Sequence, residues 1–214
     1  QTYFDYFDPD LYDPRDWARA ARKAGMKYFV ITTKHHEGFC LWDSQFTDYK
    51  ATNTPYGKDL LAPMVDAFRT EGLKVGFYYS VIDWHHPHFP IDHIHPMYKR
   101  LSPDEVKAAN TNRHMAIYRE YLHNQVRELL TGFGDIDYLF FDFSYPGVDA
   151  HGIPGKGKAD WGSESLVAMM RSLQPHILIN DRARLNEDFS TPEGEVKAAE
   201  AGRGWEACMT FNDV

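Results

Sequence analysis

The chain has 214 residues, of which 43% are apolar and 15% aromatic, and a formal net charge of −8. That is one domain's worth of sequence, long enough to bury a sizeable core. The acidic balance without a basic stripe speaks against a nucleic-acid partner, and the sequence has no apolar run of about 18 residues to span a membrane.

Taken in order, Asp13-Pro14-Arg15-Asp16 reads as a helix start: an aspartate cap, proline at the first helical position, and an acid in the first turn. Trp17, Ala20, Ala21 and Ala24 follow at helical spacing, and Gly25 closes the helix. Residues 27–33 form an apolar, β-branched run, the composition of a strand buried on both faces in a parallel sheet. A second helix is expected from about Asp59, with Leu61, Met64, Val65 and Phe68 on one face and Gly72 as its stop; the next strand is 73–80. From Val81 to about Asn110 the pattern lapses into a long loop. A helix over about 111–130 buries Met115, Tyr118, Leu122, Val126 and Leu129, and residues 136–142 make the third strand. A loop over 145–160 leads to a helix capped by Ser163, with the stripe Leu166, Met169, Met170 and Leu173. Residues 176–180 are the fourth strand, 181–206 read as an acidic loop, and Ala207 to Phe211 fit a fifth strand. Helix, glycine, strand in repetition is the signature of α/β units on a parallel sheet.

Chemistry gathers where strands end. The first strand runs into Lys34-His35-His36-Glu37-Gly38, at the edge where parallel sheets build their sites. A histidine pair alone is ordinarily one hydrogen-bonded core residue and one solvated residue. Asp142 closes the run Tyr138-Leu139-Phe140-Phe141, so its carboxylate projects from the same edge. Position alone suits a cap or an ion-pair partner equally well. His85, His86, His88, His93 and His95 crowd the long loop, but zinc sites need three or four ligands at favourable spacing, and HExxH is missing. The loop reads as a proline-rich aromatic wall, with no metal and no cofactor expected. Cys40 and Cys208, in apolar surroundings, are expected to be buried thiols rather than a disulfide framework.

The block Lys27-Tyr28, Thr32-Thr33-Lys34-His35-His36, Gly38-Phe39-Cys40-Leu41-Trp42 resembles the fingerprint of the family 29 glycoside hydrolases, the α-L-fucosidases. The likeness continues through Asp59-Leu60, Gly76-Phe77-Tyr78-Tyr79-Ser80, Thr191-Pro192-Glu193 and Trp205-Glu206-Ala207-Cys208-Met209-Thr210. The resemblance implies a (β/α)8 TIM-like barrel, incomplete at both ends, with residues 1–214 as a single partial catalytic domain. In that family a strand bearing an active-site histidine precedes this region and more barrel follows it. It implies a retaining exo-α-L-fucosidase that acts on terminal α-L-fucose of glycans through a covalent glycosyl-enzyme intermediate. Phe140-Phe141-Asp142 stands where the family has its nucleophile, making Asp142 that residue; many members have Gly or Met next, where this chain has Phe143. The acid/base falls on Glu193, by similarity to bacterial relatives, or on Glu206, by similarity to animal ones. His35, His36 and Tyr78 correspond to sugar-binding positions, Arg182 to an arginine beside the nucleophile, and Trp42 and Phe140 to walls for the 6-deoxy methyl. A catalytically silent glycan-binding fragment of the same fold is the alternative.

Overall fold

The computed structural model describes residues 3–197 and 201–210. In chain order the elements are α1 (Pro14–Lys23), β1 (Tyr28–Lys34), α2 (Leu61–Thr70), β2 (Lys74–Ser80), α3 (Pro103–Asn110), α4 (Met115–Gly132) and β3 (Tyr138–Asp142). There follow a hairpin of β4 (Tyr145–Val148) and β5 (Pro154–Lys156), α5 (Lys158–Trp161), α6 (Ser163–Leu173), β6 (Leu178–Ile179), and the two-residue strands β7 (Phe189–Ser190) and β8 (Gly204–Trp205). Strands β1, β2, β3 and β6 lie side by side in that order, all parallel. A helix precedes each, so the chain advances one strand per α/β unit.

Strand alternation sorts the side chains into two faces. Ile31, Val75, Phe77, Tyr79, Leu139, Phe141 and Ile179 point toward the helices and form one core with Ala18 and Ala21 of α1, Met64 and Phe68 of α2, Leu122 and Val126 of α4, and Leu166 and Met170 of α6. Each valine, leucine, isoleucine, methionine or phenylalanine among them contributes about 1.5–3 kcal/mol by leaving water. The opposite face carries a smaller cluster, Tyr138, Phe140 and Phe189 packed with Val30 and Tyr78. Here β1 departs from expectation. It is one of the two outer strands of the four, and Tyr28 on this face is 50% exposed, as is Leu178 of β6 at the other edge. Only its helix-facing side is covered.

Other elements also differ from the sequence reading. In α1, Asp13 does cap, accepting from the amides of Arg15 and Asp16, but the buried face is Pro14, Ala18 and Ala21, one register away from the Trp17 stripe. The long loop contains α3, started by a capping box between Ser102 and Glu105. The loop after β3 folds into the β4–β5 hairpin. Ser163 is the first residue of α6 rather than its cap; left-handed Gly162 occupies the cap position and the Ser163 hydroxyl donates to the Ala183 carbonyl at 2.6 Å. No fifth strand forms over residues 207–210. Cys208 makes a single bridge to Glu193, and Phe211 lies outside the described residues. Cys40 is fully buried, Cys208 only partly.

Two side-chain amides tie the sheet to its surroundings. Buried Gln174 accepts from the Ile136 amide at 2.7 Å and donates to the carbonyls of Leu130 and Gly134, joining the ends of α4 and α6 to the start of β3. Asn180 accepts from the Phe141 amide at 3.0 Å and donates to the Phe141 carbonyl at 2.9 Å.

Candidate active site

The carboxyl edge of the sheet holds the group that the strand ends bring together. Register pairs Ser80 with Asp142 and Tyr78 with Phe140, so the last residues of β2 and β3 are level. His35 and His36 follow β1 directly, and Arg182 sits in a single 3-10 turn after β6.

Asp142 is gripped at both oxygens. Tyr78 donates its hydroxyl to Oδ2 at 2.6 Å, and Arg182 Nη1 donates to Oδ1 at 2.7 Å. The same Nη1 lies 2.9 Å from Glu193 Oε2, while Nη2 donates to the Thr191 carbonyl at 3.1 Å. One nitrogen between two carboxylates caps the gap between those oxygens at the two distances laid end to end. Burial weakens the Arg182 charge, but the hydrogen bond and charge of Asp142, helped by Glu193, outweigh it and hold the guanidinium above its ordinary range. Burial, then the adjacent Asp142 charge, raises the Tyr78 phenol, which therefore stays a donor.

The two histidines are set differently. Ser80 gives its hydroxyl proton to the Ile82 carbonyl at 2.8 Å, so its 2.7 Å contact with His36 Nδ1 requires the imidazole to donate. That tautomer leaves Nε2 bare, 3.9 Å from Asp142 Oδ2. Burial, aided by the neighbouring His35, pushes His36 down to about 4 against the pull of Asp142, so the ring is neutral near pH 7. His35 is half exposed, stacks on Tyr78 with ring centroids 5.6 Å apart, and meets Glu37 at 3.3 Å; this hydrogen bond raises its pKa against the effect of burial.

Beneath this turn lies a buried ion pair. Lys34 Nζ is 3.2 Å from Asp83 Oδ2, with side chains 0% and 2% exposed. Asp83 also accepts from the Tyr121 hydroxyl at 3.1 Å and from the amides of His85 and His86 at 3.0 and 2.9 Å. Nζ sits 4.4 Å from the centre of the Tyr79 ring. The intervening Trp84 amide donates to the His36 carbonyl at 2.8 Å, tying the loop after β2 to the histidine turn.

Three expected site residues are placed elsewhere. Trp42 is 2% exposed within the main core, and its indole donates to Glu128 at 3.1 Å; packing between β1 and α4 keeps it from any ligand. Phe140 is 8% exposed, with Tyr78 stacked on its ring at 5.4 Å and Arg182 over it at 5.1 Å. It supports those two side chains and leaves no open face for a methyl group. Glu206 accepts from Tyr138 at 2.5 Å and from Thr191 at 3.0 Å. Unlike Glu193, Glu206 shares no hydrogen-bond donor with Asp142 among the described residues; Thr191 stands between it and Arg182. Glu206 lines instead a cavity of about 390 Å³ with Tyr28, Tyr138, Leu178, Phe189 and Trp205.

Ser80, Glu37 and Thr191 join the group without having been singled out for it from sequence, and Phe143, the departure from the family pattern after Asp142, stands against His36. Only the strand-end position of Ser80 and the break after Asp142 signal them. The loop histidines do not converge on a metal-type cluster among the described residues. His35, His36 and Asp142 do, within 4.8 Å of one another, but both Asp142 oxygens are already engaged and the Arg182 charge already pairs with that carboxylate.

Comparison with known proteins bears on this geometry. The sequence profile of the family described as Alpha-L-fucosidase matches residues 1–214. Among solved structures, α-L-fucosidase isoenzyme 1 from Paenibacillus thiaminolyticus superposes with a TM-score of 0.85 at 47% identity, over 99% of this chain and 51% of that one. An enzyme of Bacteroides thetaiotaomicron, solved as a trapped covalent intermediate with 2-fluoro-fucosyl fluoride, gives a TM-score of 0.76 at 29% identity, over 97% and 48%. The putative α-L-fucosidase 1 of Oryza sativa subsp. japonica is 31% identical over 177 residues, 81% of this chain and 28% of that protein. The chain thus spans about half the length of the solved relatives and less of the rice protein.

Proposed function

We propose, from the premise that this chain belongs to the α-L-fucosidase family, that it carries the main catalytic groups of a retaining exo-α-L-fucosidase acting on fucosylated glycans. Its four parallel strands are read as a contiguous arc of a (β/α)8-type barrel, with residues 1–214 forming one partial catalytic domain. No cofactor enters the chemistry.

The reaction follows from the charges. Asp142 attacks the anomeric carbon and forms the covalent glycosyl-enzyme. Tyr78 and Arg182 stabilise its carboxylate and orient it. Glu193 protonates the departing oxygen and then takes a proton from the water that releases fucose. The neutral His36 Nε2 accepts from one sugar hydroxyl and the more basic His35 donates to another. The observation that carries this reading is Arg182 Nη1 at 2.7 Å from Asp142 and 2.9 Å from Glu193. It keeps the two carboxylates near the roughly 5–5.5 Å of a retaining pair.

The test is Asp142→Gly in the full-length protein with an aryl α-L-fucoside. Turnover should vanish, and added azide should restore it with formation of a fucosyl azide. Wild-type turnover in the variant would remove Asp142 from the mechanism. A wild type that binds the sugar and does not hydrolyse it would make the chain a glycan-binding module.

A further inference from the structure

Ser80 is the last residue of β2, fully buried, and level with Asp142 across the sheet. The segment that follows it is fastened to both neighbours. The Val81 amide donates to the Asp142 carbonyl at 3.1 Å, and the Trp84 amide to the His36 carbonyl at 2.8 Å. The Ser80 hydroxyl is thereby set behind the His36 ring. A serine hydroxyl has one proton to give and two lone pairs. Here all three are engaged. The proton goes to the Ile82 carbonyl at 2.8 Å, one lone pair accepts from the Ile82 amide at 3.2 Å, and the other meets His36 Nδ1 at 2.7 Å. With its proton committed inside its own turn, the hydroxyl can only accept from the ring.

The other groups that face the ring do not compete for Nδ1. His35 lies against it with centroids 4.0 Å apart, Trp84 and Phe143 stand edge-on at 5.3 and 5.4 Å, and Asp142 is on the Nε2 side. The charges of Glu37 and Lys34 reach it with opposite effects. The consequence falls at Nε2, 3.9 Å from Asp142 Oδ2. A bare nitrogen opposite a carboxylate oxygen is one acceptor facing another, so neither binds the other. In the alternative tautomer Nε2–H would donate to Oδ2, which already accepts from Tyr78 while Arg182 holds Oδ1. That third charge-assisted bond would have to break before the carboxylate could attack.

We propose that Ser80 is a positioning residue that locks His36 in its Nδ1–H form and so keeps the ring from donating to the nucleophile. The proposal rests on the assignment of Asp142 made above. In Ser80→Ala the Nδ1–H loses its acceptor, and an unsatisfied donor on a largely buried ring is costly. The ring then changes to the Nε2–H form, which finds a partner in Asp142 Oδ2.

Nitrogen NMR of the full-length protein with labelled histidine at neutral pH reads the tautomer directly, with the His36 signals assigned by difference against His36→Gln. The wild type and Ser80→Thr, which keeps the hydroxyl, should show Nε2 without a proton. Ser80→Ala should show Nε2 with one. In parallel, kcat/KM for an aryl α-L-fucoside, which reports formation of the covalent intermediate, should fall roughly tenfold to a hundredfold in Ser80→Ala, the scale of one charge-assisted hydrogen bond. Ser80→Thr should recover most of it. A merely structural loss would lower Tm without moving the proton from one ring nitrogen to the other. Nε2–H in the wild type, an unmoved proton in Ser80→Ala, or a moved proton with kcat/KM within twofold of wild type overturns the proposal. A wild type that has the lock and hydrolyses no fucoside sinks the fucosidase reading and not the lock; an active wild type without it sinks the lock alone.

Discussion

Removing Asp83 should cost more stability than any other single change beneath the histidine turn. The carboxylate is 2% exposed and accepts from Lys34, Tyr121 and two backbone amides. Asp83→Ala leaves a buried ammonium facing only the rings of Tyr79 and Tyr121. Breaking a buried pair from one side costs about 3–5 kcal/mol. For a chain of this size that is a fall in Tm of roughly 6–20 °C. Lys34→Met should cost less, because Asp83 keeps its amide and phenol donors. In the double variant Lys34→Met with Asp83→Ala no charge is left to strand, so the loss should fall short of the two single losses added together by about 2 kcal/mol. Urea denaturation of the four proteins measures the cycle. The KM for an aryl fucoside should rise alongside, because the Trp84 amide that holds the His36 carbonyl is next in sequence to Asp83. A loss below about 1 kcal/mol in Asp83→Ala, or additivity in the double variant, would refute the account.

Two further outcomes follow from the site. Glu193→Ala should cripple hydrolysis of a natural fucosyl-sugar while an aryl fucoside with an acidic phenol still forms the covalent intermediate, which accumulates; the alkaline limb of the pH profile should disappear. Glu206→Ala should leave that limb in place and lower Tm by releasing the Tyr138 hydroxyl, and the reverse pattern would exchange the two assignments. Stability should also decline in acid. Burial holds His36, His86 and His95 at about 4 in the folded chain, whereas the unfolded chain binds protons on these rings below about 6.5. The folded state is therefore at full advantage above pH 6.5 and loses it as pH falls toward 4, by at most about 1.4 kcal/mol per pH unit for each ring. Denaturation midpoints measured across that window should slope accordingly, and His86→Gln should flatten the curve; an unchanged slope would show that His86 titrates normally.

Much of the architecture was legible because α/β units write it twice, once as helix periodicity and once as an apolar strand ending in polar residues. The strands and helices around His35, Tyr78 and Asp142 fall within a few residues of expectation for that reason. What was missed depends on partners distant in sequence. The burial of Trp42 depends on Glu128, and the loss of an open face on Phe140 depends on Arg182 and Tyr78. Local pattern carries no trace of either. The α3 capping box at Ser102 is a local signal, masked by the proline and histidine that dominate the surrounding stretch. The pairing of Glu206 with Tyr138 and Thr191 rather than with Arg182 is likewise a matter of long-range partners, which a loop sequence does not encode.

Asn180 has a consequence for how the strands end. Its amide meets both polar groups of the Phe141 backbone, as the next residue of a neighbouring strand would. A side chain thus serves as a surrogate peptide unit. The main chain is released from the sheet one step early, yet the residue before Asp142 is still held from that side. Freed there, the backbone turns at once through Asp181 and Arg182. The guanidinium therefore arrives over Asp142 instead of continuing past it. An aspartate at 180 would present a second acceptor to the Phe141 carbonyl, and an alanine would present nothing. In either case the timing of the strand's exit, rather than the identity of Arg182, would decide whether the two charges meet.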